Sequence, residues 1–243
     1  IIAYLNIPPW IATLAGYLSF RGLGNAIVKG QTKGIGQLES YLKLFNNQIP
    51  ALFKIGNLNG MCILIGIAAC VLVVYTQIKD RATKIKKGYE ADSMTSVIVR
   101  CVIVCAVILF FAFKLGQDKG IPFTLVWVAA IALIYNFITS KTVVGRYFYT
   151  MGGNVEATRL SGIDTKKILF LAYLNMQFLT VIAGWISMAR LSAANPNMGL
   201  NYELDAISAC IVGGVSAYGG SGSVFGMIVG ATLIGVINLG MSL

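Results

Sequence analysis

Long apolar runs separated by short polar segments make up most of the chain. The runs are close to the roughly 20 residues that a helix needs to cross the hydrocarbon core of a bilayer. They predict an all-α, polytopic transmembrane helical bundle that forms a single domain over residues 1–243. The predicted spans cover residues about 8–28, 60–78, 95–115, 122–140, 168–189, 203–218 and 224–243.

The first predicted span is less regular than the others. Pro8 and Pro9 favour a helix start, because proline fits the first turn of a helix and not its interior. Arg21 and the glycines at positions 16, 22 and 24 weaken the second half. Two interpretations stay open: an interrupted helix surrounded by protein or a wet cavity, or a span that ends early near Phe20.

The predicted helix at residues 203–218 is short for a complete span. Glu203 and Asp205 lie in its first turn, where the helix dipole favours negative charge. A glycine-rich turn follows, and a second apolar helix begins near Val224. We predict a broken or re-entrant helix pair, with two ordinary helices joined by a tight turn as the alternative. Three glycines spaced by four residues predict close helix packing: Gly222, Gly226 and Gly230.

Composition and charge placement support the membrane interpretation. Charged residues make up 12% of the chain, against about 25% in soluble domains. The net charge is +10, and ten of the 19 lysines and arginines lie in two segments between spans, residues 79–93 and 141–167. Excess Lys and Arg in short loops marks the cytoplasmic side, so the charge indicates orientation and not nucleic-acid binding. The polar stretch 29–59, amphipathic around Leu38–Phe53, is predicted to lie on the outer surface.

Residues 145–163 form a polar, glycine-punctuated segment between two apolar runs. Gly152 and Gly153 end any preceding helix, and Asn154 is a good N-cap for a short new one. Glu156 suits the first turn of that helix and Arg159 its end. Ser161 and Gly162 then stop it, and the small Ala157 leaves a shallow face for a partner. The alternative is an ordinary solvated loop between two spans.

Several kinds of chemistry are absent from the sequence. The chain has no histidine, which removes histidine-based catalysis, imidazole metal sites and histidine proton relays. Its five cysteines lie in apolar runs, where they serve as small hydrophobic residues, so we predict no metal site. No phosphate-binding GxxxxGK[ST] motif occurs, so any nucleotide would bind a partner. We therefore predict a protein that is not an enzyme.

Three stretches resemble a known family. They are IPPWIATLAGYLSFRGL from Ile7, GRYFYTMGGNVEATRLSGI from Gly145, and ARLSAANPNMGLNYELDAISACIVGGVSAYGGSGSVFG from Ala189. The chain resembles the permease subunits of bacterial ATP-binding-cassette importers for monosaccharides, the ribose/xylose/galactose permease family, and most of all the xylose or multiple-monosaccharide type. Members of that family are longer at both ends, so the resemblance implies a partial chain.

The resemblance implies partners as well as a location. Residues 145–163 would be the coupling region, a cytoplasmic helix around Asn154 to Leu160 seated in a cleft of an ATPase subunit that holds ATP and Mg²⁺. This chain would carry no cofactor. A periplasmic or lipid-anchored sugar-binding protein would dock on the outer loops of a permease homodimer in the bacterial inner membrane. The residues implied in coupling are Gly145, Arg146, Gly152, Gly153, Asn154, Glu156, Ala157, Arg159, Ser161 and Gly162.

A sugar path should be lined by hydroxyl, amide and aromatic groups that pair with sugar hydroxyls. The candidates are Asn175, Gln177, Tyr202, Glu203 and Asp205. Asn175 and Gln177 are two residues apart on one helix, so they face different sides, and such amides more often join helices. Two other functions stay open: a secondary transporter coupled to H⁺ or Na⁺, which needs an intramembrane carboxylate or ion site, and an integral-membrane enzyme.

Overall fold

The computed structural model of the protein describes residues 2–5, 7–49, 54–55, 58–86, 93–117 and 120–242. These residues are mostly helical, with very little strand, so the all-α prediction is confirmed. The helices are α1 Ile2–Leu5, α2 Pro9–Val28, α3 Glu39–Asn46, α4 Gly60–Lys86, α5 Met94–Gln117, α6 Phe123–Lys141, α7 Val143–Gly153, α8 Val155–Leu160, α9 Thr165–Leu191, α10 Tyr202–Val212 and α11 Val224–Met241. The short strands are β1 Lys33–Gly34, β2 Lys54–Ile55, β3 Leu58–Asn59 and β4 Ala193–Ala194.

Five of the described helices are long and apolar enough to cross a membrane: α4 as far as Lys79, α5, α6, α9 and α11. The prediction of a multi-pass membrane bundle is confirmed. Helix α2 is not among the five, because Arg21 and Asn25 lower its mean hydropathy. Helix α10 has 11 residues, about 16 Å of helix, which is half the thickness of a hydrocarbon core of about 30 Å.

The chain divides into two compact units, residues 47–125 and residues 1–46 with 126–243. In the unit formed by 47–125, α4 packs against α5. A β-carbon added at Gly66 would lie 2.6 Å from the Ala112 β-carbon, so this glycine allows the two helices to approach. Cys62 is buried near Gly116 in the same contact. The segment 79–93 was expected to be a loop, but α4 continues through it to Lys86, because Lys, Arg and Ala are good helix formers.

Helix α2, in the other unit, differs from both interpretations of its sequence. It is neither interrupted nor finished near Phe20, but runs unbroken from Pro9 to Val28. An interior glycine costs only about 1 kcal/mol of helix stability, and the three glycines do not stop the helix. It ends where Lys29 adopts a left-handed conformation, with φ of 55°, followed by Gly30.

The polar stretch after α2 packs onto the same unit through aromatic side chains. Helix α3 is shorter than the predicted Leu38–Phe53, and Phe53 itself lies outside the described residues. Phe45 is buried, with its ring centroid 5.5 Å from that of Trp127 and 6.5 Å from that of Trp185. The Tyr41 hydroxyl donates to the Trp185 carbonyl at 2.5 Å, and burial raises the pKa of Tyr41. The amphipathic helix therefore docks its apolar side on α9.

Helices α10 and α11 form a closely packed hairpin. A β-carbon at Gly226 would collide with the Gly213 carbonyl, and one at Gly230 with the Ala209 carbonyl. The predicted helix at 203–218 ends earlier than expected, at Val212, because Gly213 and Gly214 follow, with φ of 86° at Gly214. Gly222 was expected to pack with Gly226 and Gly230, but it lies in the loop before α11. Gly213 makes the close contact with Gly226 instead.

Candidate functional site

The segment 145–163 contains most of one helix, α7, and all of another, α8. Helix α6 ends at Lys141, and the Thr142 side chain caps α7 by accepting a hydrogen bond from the Gly145 nitrogen at 3.1 Å. Gly145 is buried, and a β-carbon there would meet the carbonyl groups of Ile138 and Thr139. This glycine therefore allows α7 to fold back on the last turn of α6. Arg146 beside it is exposed.

Helix α8 follows the pattern expected from its sequence. Helix α7 ends at Gly153, and the Asn154 side chain accepts a hydrogen bond from the Ala157 nitrogen at 3.0 Å. Glu156 and Arg159 form an exposed ion pair at 2.6 Å, worth at most about 0.5 kcal/mol. Ser161 closes the helix, and Gly162 turns the chain with φ of 81°. The preference of each residue type for its position explains the fold of this helix.

Most of the surface of α8 is open to the surroundings. Leu160 is 79% exposed and Val155 is 55% exposed, although both side chains are apolar. Ala157 is exposed between them in sequence, and a β-carbon added at Gly153 would meet no atom within 4 Å. A six-residue helix with two exposed apolar side chains and small residues nearby is suited to contact with another protein.

Helix α8 is held against the rest of the unit at Thr158. Thr158 is only 4% exposed, and its hydroxyl donates to the Asn154 carbonyl at 2.8 Å. Both α7 and α8 contact α9, whose first turn is capped by the Asp164 side chain accepting from the Lys167 nitrogen. Helix α8 is therefore anchored at both ends and through Thr158.

The end of α7 touches the loop between α10 and α11, a contact that the sequence did not predict. A β-carbon added at Gly152 would lie 2.6 Å from the Gly220 nitrogen, and one at Gly219 would lie 2.6 Å from the Gly152 oxygen. The Tyr149 hydroxyl donates to the Gly222 carbonyl at 3.0 Å. The only sequence signal was that both stretches are rich in glycine, which marks possible close approaches without pairing them.

A cavity lies between the middle of α2 and the loop that follows α9. The segment 145–163 precedes the other end of α9. It has a volume of about 290 Å³ and lies between α2 and residues 196–200. The Arg21 guanidinium donates to the Tyr17 hydroxyl at 2.6 Å and to the Asn197 side-chain oxygen at 2.9 Å. Strand β1 pairs with β4 in the same region. The cavity thus combines a cation, a phenol and an amide, which sequence reasoning did not select.

The sequence-predicted path residues fall in two places. Asn175 is half-buried on α9 and accepts a hydrogen bond from the Tyr135 hydroxyl at 2.9 Å, so it joins α9 to α6. Gln177, two residues later, is exposed. Tyr202, Glu203 and Asp205 share the exposed first turn of α10. Asp205 also accepts a hydrogen bond from the Asn238 side chain at 3.2 Å, near the end of α11.

The whole chain, residues 1–243, matches the family described as a branched-chain amino acid transport system permease component. The chain belongs to this permease family. It is a family of transport permeases, not of enzymes, and the expected membership in a group of transport permeases is confirmed.

Curated relatives of the permease are named for pentoses. The xylose transport system permease protein of Haemophilus influenzae is 34% identical over 242 residues, which cover 100% of this chain and 62% of the relative. The xylose permease of Escherichia coli K12 is 31% identical, with 100% of this chain and 59% of the relative covered. The ribose import permease protein of the same strain is 43% identical over 136 residues, 56% of this chain and 42% of the relative. No solved structure matches the chain significantly.

The permease chain spans about three fifths of the length of the xylose permeases that it matches. Both the family match and these relatives agree with the resemblance seen in the three quoted stretches.

Proposed function

We propose that this permease is the membrane subunit of an ATP-binding-cassette importer for a monosaccharide, a xylose- or ribose-like sugar. The observation that carries the proposal is the capped helix α8, whose apolar side chains Val155 and Leu160 are exposed on a permease that has no nucleotide-binding motif in its sequence. The names of the similar xylose and ribose permeases support the choice of a sugar.

The proposed orientation places α8 in the cytoplasm of a bacterial cell, with the permease in the inner membrane. Lysines and arginines concentrate near α8, as expected for a cytoplasmic segment. Helix α9 begins next to α8 and has 27 residues, so it is about 40 Å long and reaches the outer surface. The cavity at Arg21 and Asn197 would then face outward.

The proposed sugar path starts at that outer cavity. A volume of about 290 Å³ lies at the lower end of the range for small-molecule pockets. Tyr17, Arg21 and Asn197 supply hydrogen-bonding groups for sugar hydroxyls, and the aromatic ring of Phe20 lies in the same wall. The exposed first turn of α10, with Tyr202, Glu203 and Asp205, and the exposed Gln177 are further candidates for contact with sugar, whereas Asn175 serves helix packing.

The proposed partners follow from the same assignment. An ATPase subunit, which would hold ATP and Mg²⁺, docks on α8; a periplasmic or lipid-anchored sugar-binding protein delivers sugar on the outer side; and a second permease copy completes the path. Closure of the ATPase subunits would displace α8 and change the side on which the path is open.

The test is transport by the full-length permease reconstituted in liposomes with an ATPase subunit and a sugar-binding protein from the same organism. We expect uptake of labelled xylose or ribose that requires ATP and persists when ionophores remove all ion gradients. Uptake that follows an H⁺ or Na⁺ gradient without the ATPase would instead support a secondary transporter. Conversion of the sugar by the isolated permease would support an enzyme.

A further inference from the structure

We propose that Tyr149, Gly152 and Gly219 are positioning residues that transmit the movement of the coupling segment to the α10–α11 hairpin. The inference rests on the proposed function, because it assumes that a partner displaces α8. The inference identifies the α10–α11 hairpin as the element that the displacement of α8 moves, and the contacts of Tyr149, Gly152 and Gly219 as the connection between them.

The first step is the contact between α7 and the loop at residues 213–223. The backbones of Gly152 and the loop are in direct contact. A β-carbon on Gly152 would lie 2.6 Å from the Gly220 nitrogen, and one on Gly219 would lie 2.6 Å from the Gly152 oxygen. A β-carbon on Gly220 would lie 2.9 Å from the Gly153 α-carbon. Main-chain atoms have no rotamers through which to yield, so this contact transmits a displacement more directly than side-chain packing does.

The second step is the conformation of the loop. Gly219, Gly220 and Gly222 have φ of 92°, 76° and 157°, values that side-chain-bearing residues rarely adopt. The Tyr149 hydroxyl holds this loop by donating to the Gly222 carbonyl at 3.0 Å. Tyr149 and Gly152 are on one helix, α7, which continues into α8 through the Asn154 cap. The loop is therefore fixed to α7 at two points, Tyr149 and Gly152, and α7 adjoins α8.

The third step is the hairpin beyond the loop. Helices α10 and α11 meet through Gly213, Gly226 and Gly230 so closely that added β-carbons would collide with backbone. Helices packed this closely would move together, and the far end of α10 holds Tyr202, Glu203 and Asp205. A displacement of the loop at one end of this hairpin would thus reorient the polar turn that we place on the sugar path.

The experiment measures sugar imported per ATP hydrolysed by the reconstituted full-length complex, together with its basal ATPase rate and the amount assembled. The variants are Gly152→Ala, Gly219→Ala and Tyr149→Phe. Gly214→Ala is the matched control for Gly219→Ala, because Gly214 has a similar φ of 86° but no atom within 4 Å of an added β-carbon. Gly184→Ala, at an open helical position, and Tyr147→Phe, on the same helix as Tyr149, control for the other two.

We expect the transport-to-hydrolysis ratio to fall at least about fivefold in the two glycine variants, the lower end of typical coupling between sites. Tyr149→Phe, which loses one hydrogen bond and adds no bulk, should lower the ratio by about two- to tenfold. Basal ATPase activity should persist and the controls should keep the original ratio. A purely structural role would reduce transport and hydrolysis together, in proportion to the assembled complex.

The inference is overturned if the assembled variants keep the original ratio, if the controls lose it equally, or if transport and hydrolysis fall together. If the glycine variants do not assemble, Tyr149→Phe decides in the same way. A complex without substitutions that imports no sugar with ATP would overturn the proposed function and this inference together, whereas failure of the variants alone leaves the proposed function standing.

Discussion

Asn154 is the residue that fixes where α8 begins. Its side chain accepts from the Ala157 nitrogen at 3.0 Å, which satisfies one of the unpaired donors of the first turn. Asn154→Ala should destabilise α8 by about 1 kcal/mol and speed hydrogen exchange of the amides in residues 155–160. Asn154→Asp keeps an acceptor and should exchange like the original protein. Equal exchange in the alanine variant would show that packing through Thr158 alone holds the helix.

Ala157 tests the proposal that α8 contacts an ATPase. The residue is exposed, so Ala157→Trp should leave folding and membrane insertion intact while blocking the close approach of an ATPase. The reconstituted complex should then hydrolyse ATP with little or no sugar uptake. Ala183→Trp changes an exposed alanine on α9 and serves as the control. Transport at the original rate by the Ala157 variant would refute the coupling assignment.

At this scale the sequence predicted α8 well, because each determinant is local. Asn154 caps, Glu156 and Arg159 fit opposite ends, and Gly162 permits the turn. The roles of Gly145 and Gly152 were not predictable, because both depend on backbone from elsewhere in the chain, the end of α6 and the loop after α10. A glycine in a sequence shows that another segment could approach the backbone closely, but it does not show which segment does so.

At the scale of elements, the α10–α11 hairpin depends on glycine contacts. A β-carbon at Gly230 would meet backbone at Ala209 and Gly213, whereas one at Gly235, on the same helix, would meet nothing within 4 Å. Gly230→Ala should therefore destabilise the protein by about 1–3 kcal/mol through overpacking, and lower its Tm in detergent. Gly235→Ala should leave Tm unchanged or raise it. Equal values for the two variants would contradict the hairpin packing.

Element positions were more predictable than element ends and junctions. The apolar runs located α4, α5, α6, α9 and α11, because the length needed to cross a bilayer leaves a strong signal. The sequence missed α7 and the extension of α4 to Lys86, because polar residues in a helix beyond the membrane resemble a loop. It also missed the short strands β1 and β4, whose pairing joins residues far apart in the chain.

At the scale of the whole molecule, the permease separates its proposed tasks along α9. The proposed coupling segment, residues 145–163, lies just before the start of that helix, and the Arg21 cavity lies at the loop that follows its end. Sugar recognition and attachment of the ATPase would thus occur about 40 Å apart. The α10–α11 hairpin contacts the coupling segment through its loop and begins just after the cavity wall at residues 196–200.

The most direct test of the account is photo-crosslinking from Leu160, the most exposed apolar side chain of α8. A photoreactive amino acid at this position in the full-length permease, irradiated in membranes that contain the assembled transporter, should capture the ATPase subunit. The same probe at Leu200, in the cavity wall, should not. Capture of the ATPase from Leu200 and not from Leu160, or from neither position, would contradict the claim that a nucleotide-hydrolysing partner drives the permease through α8.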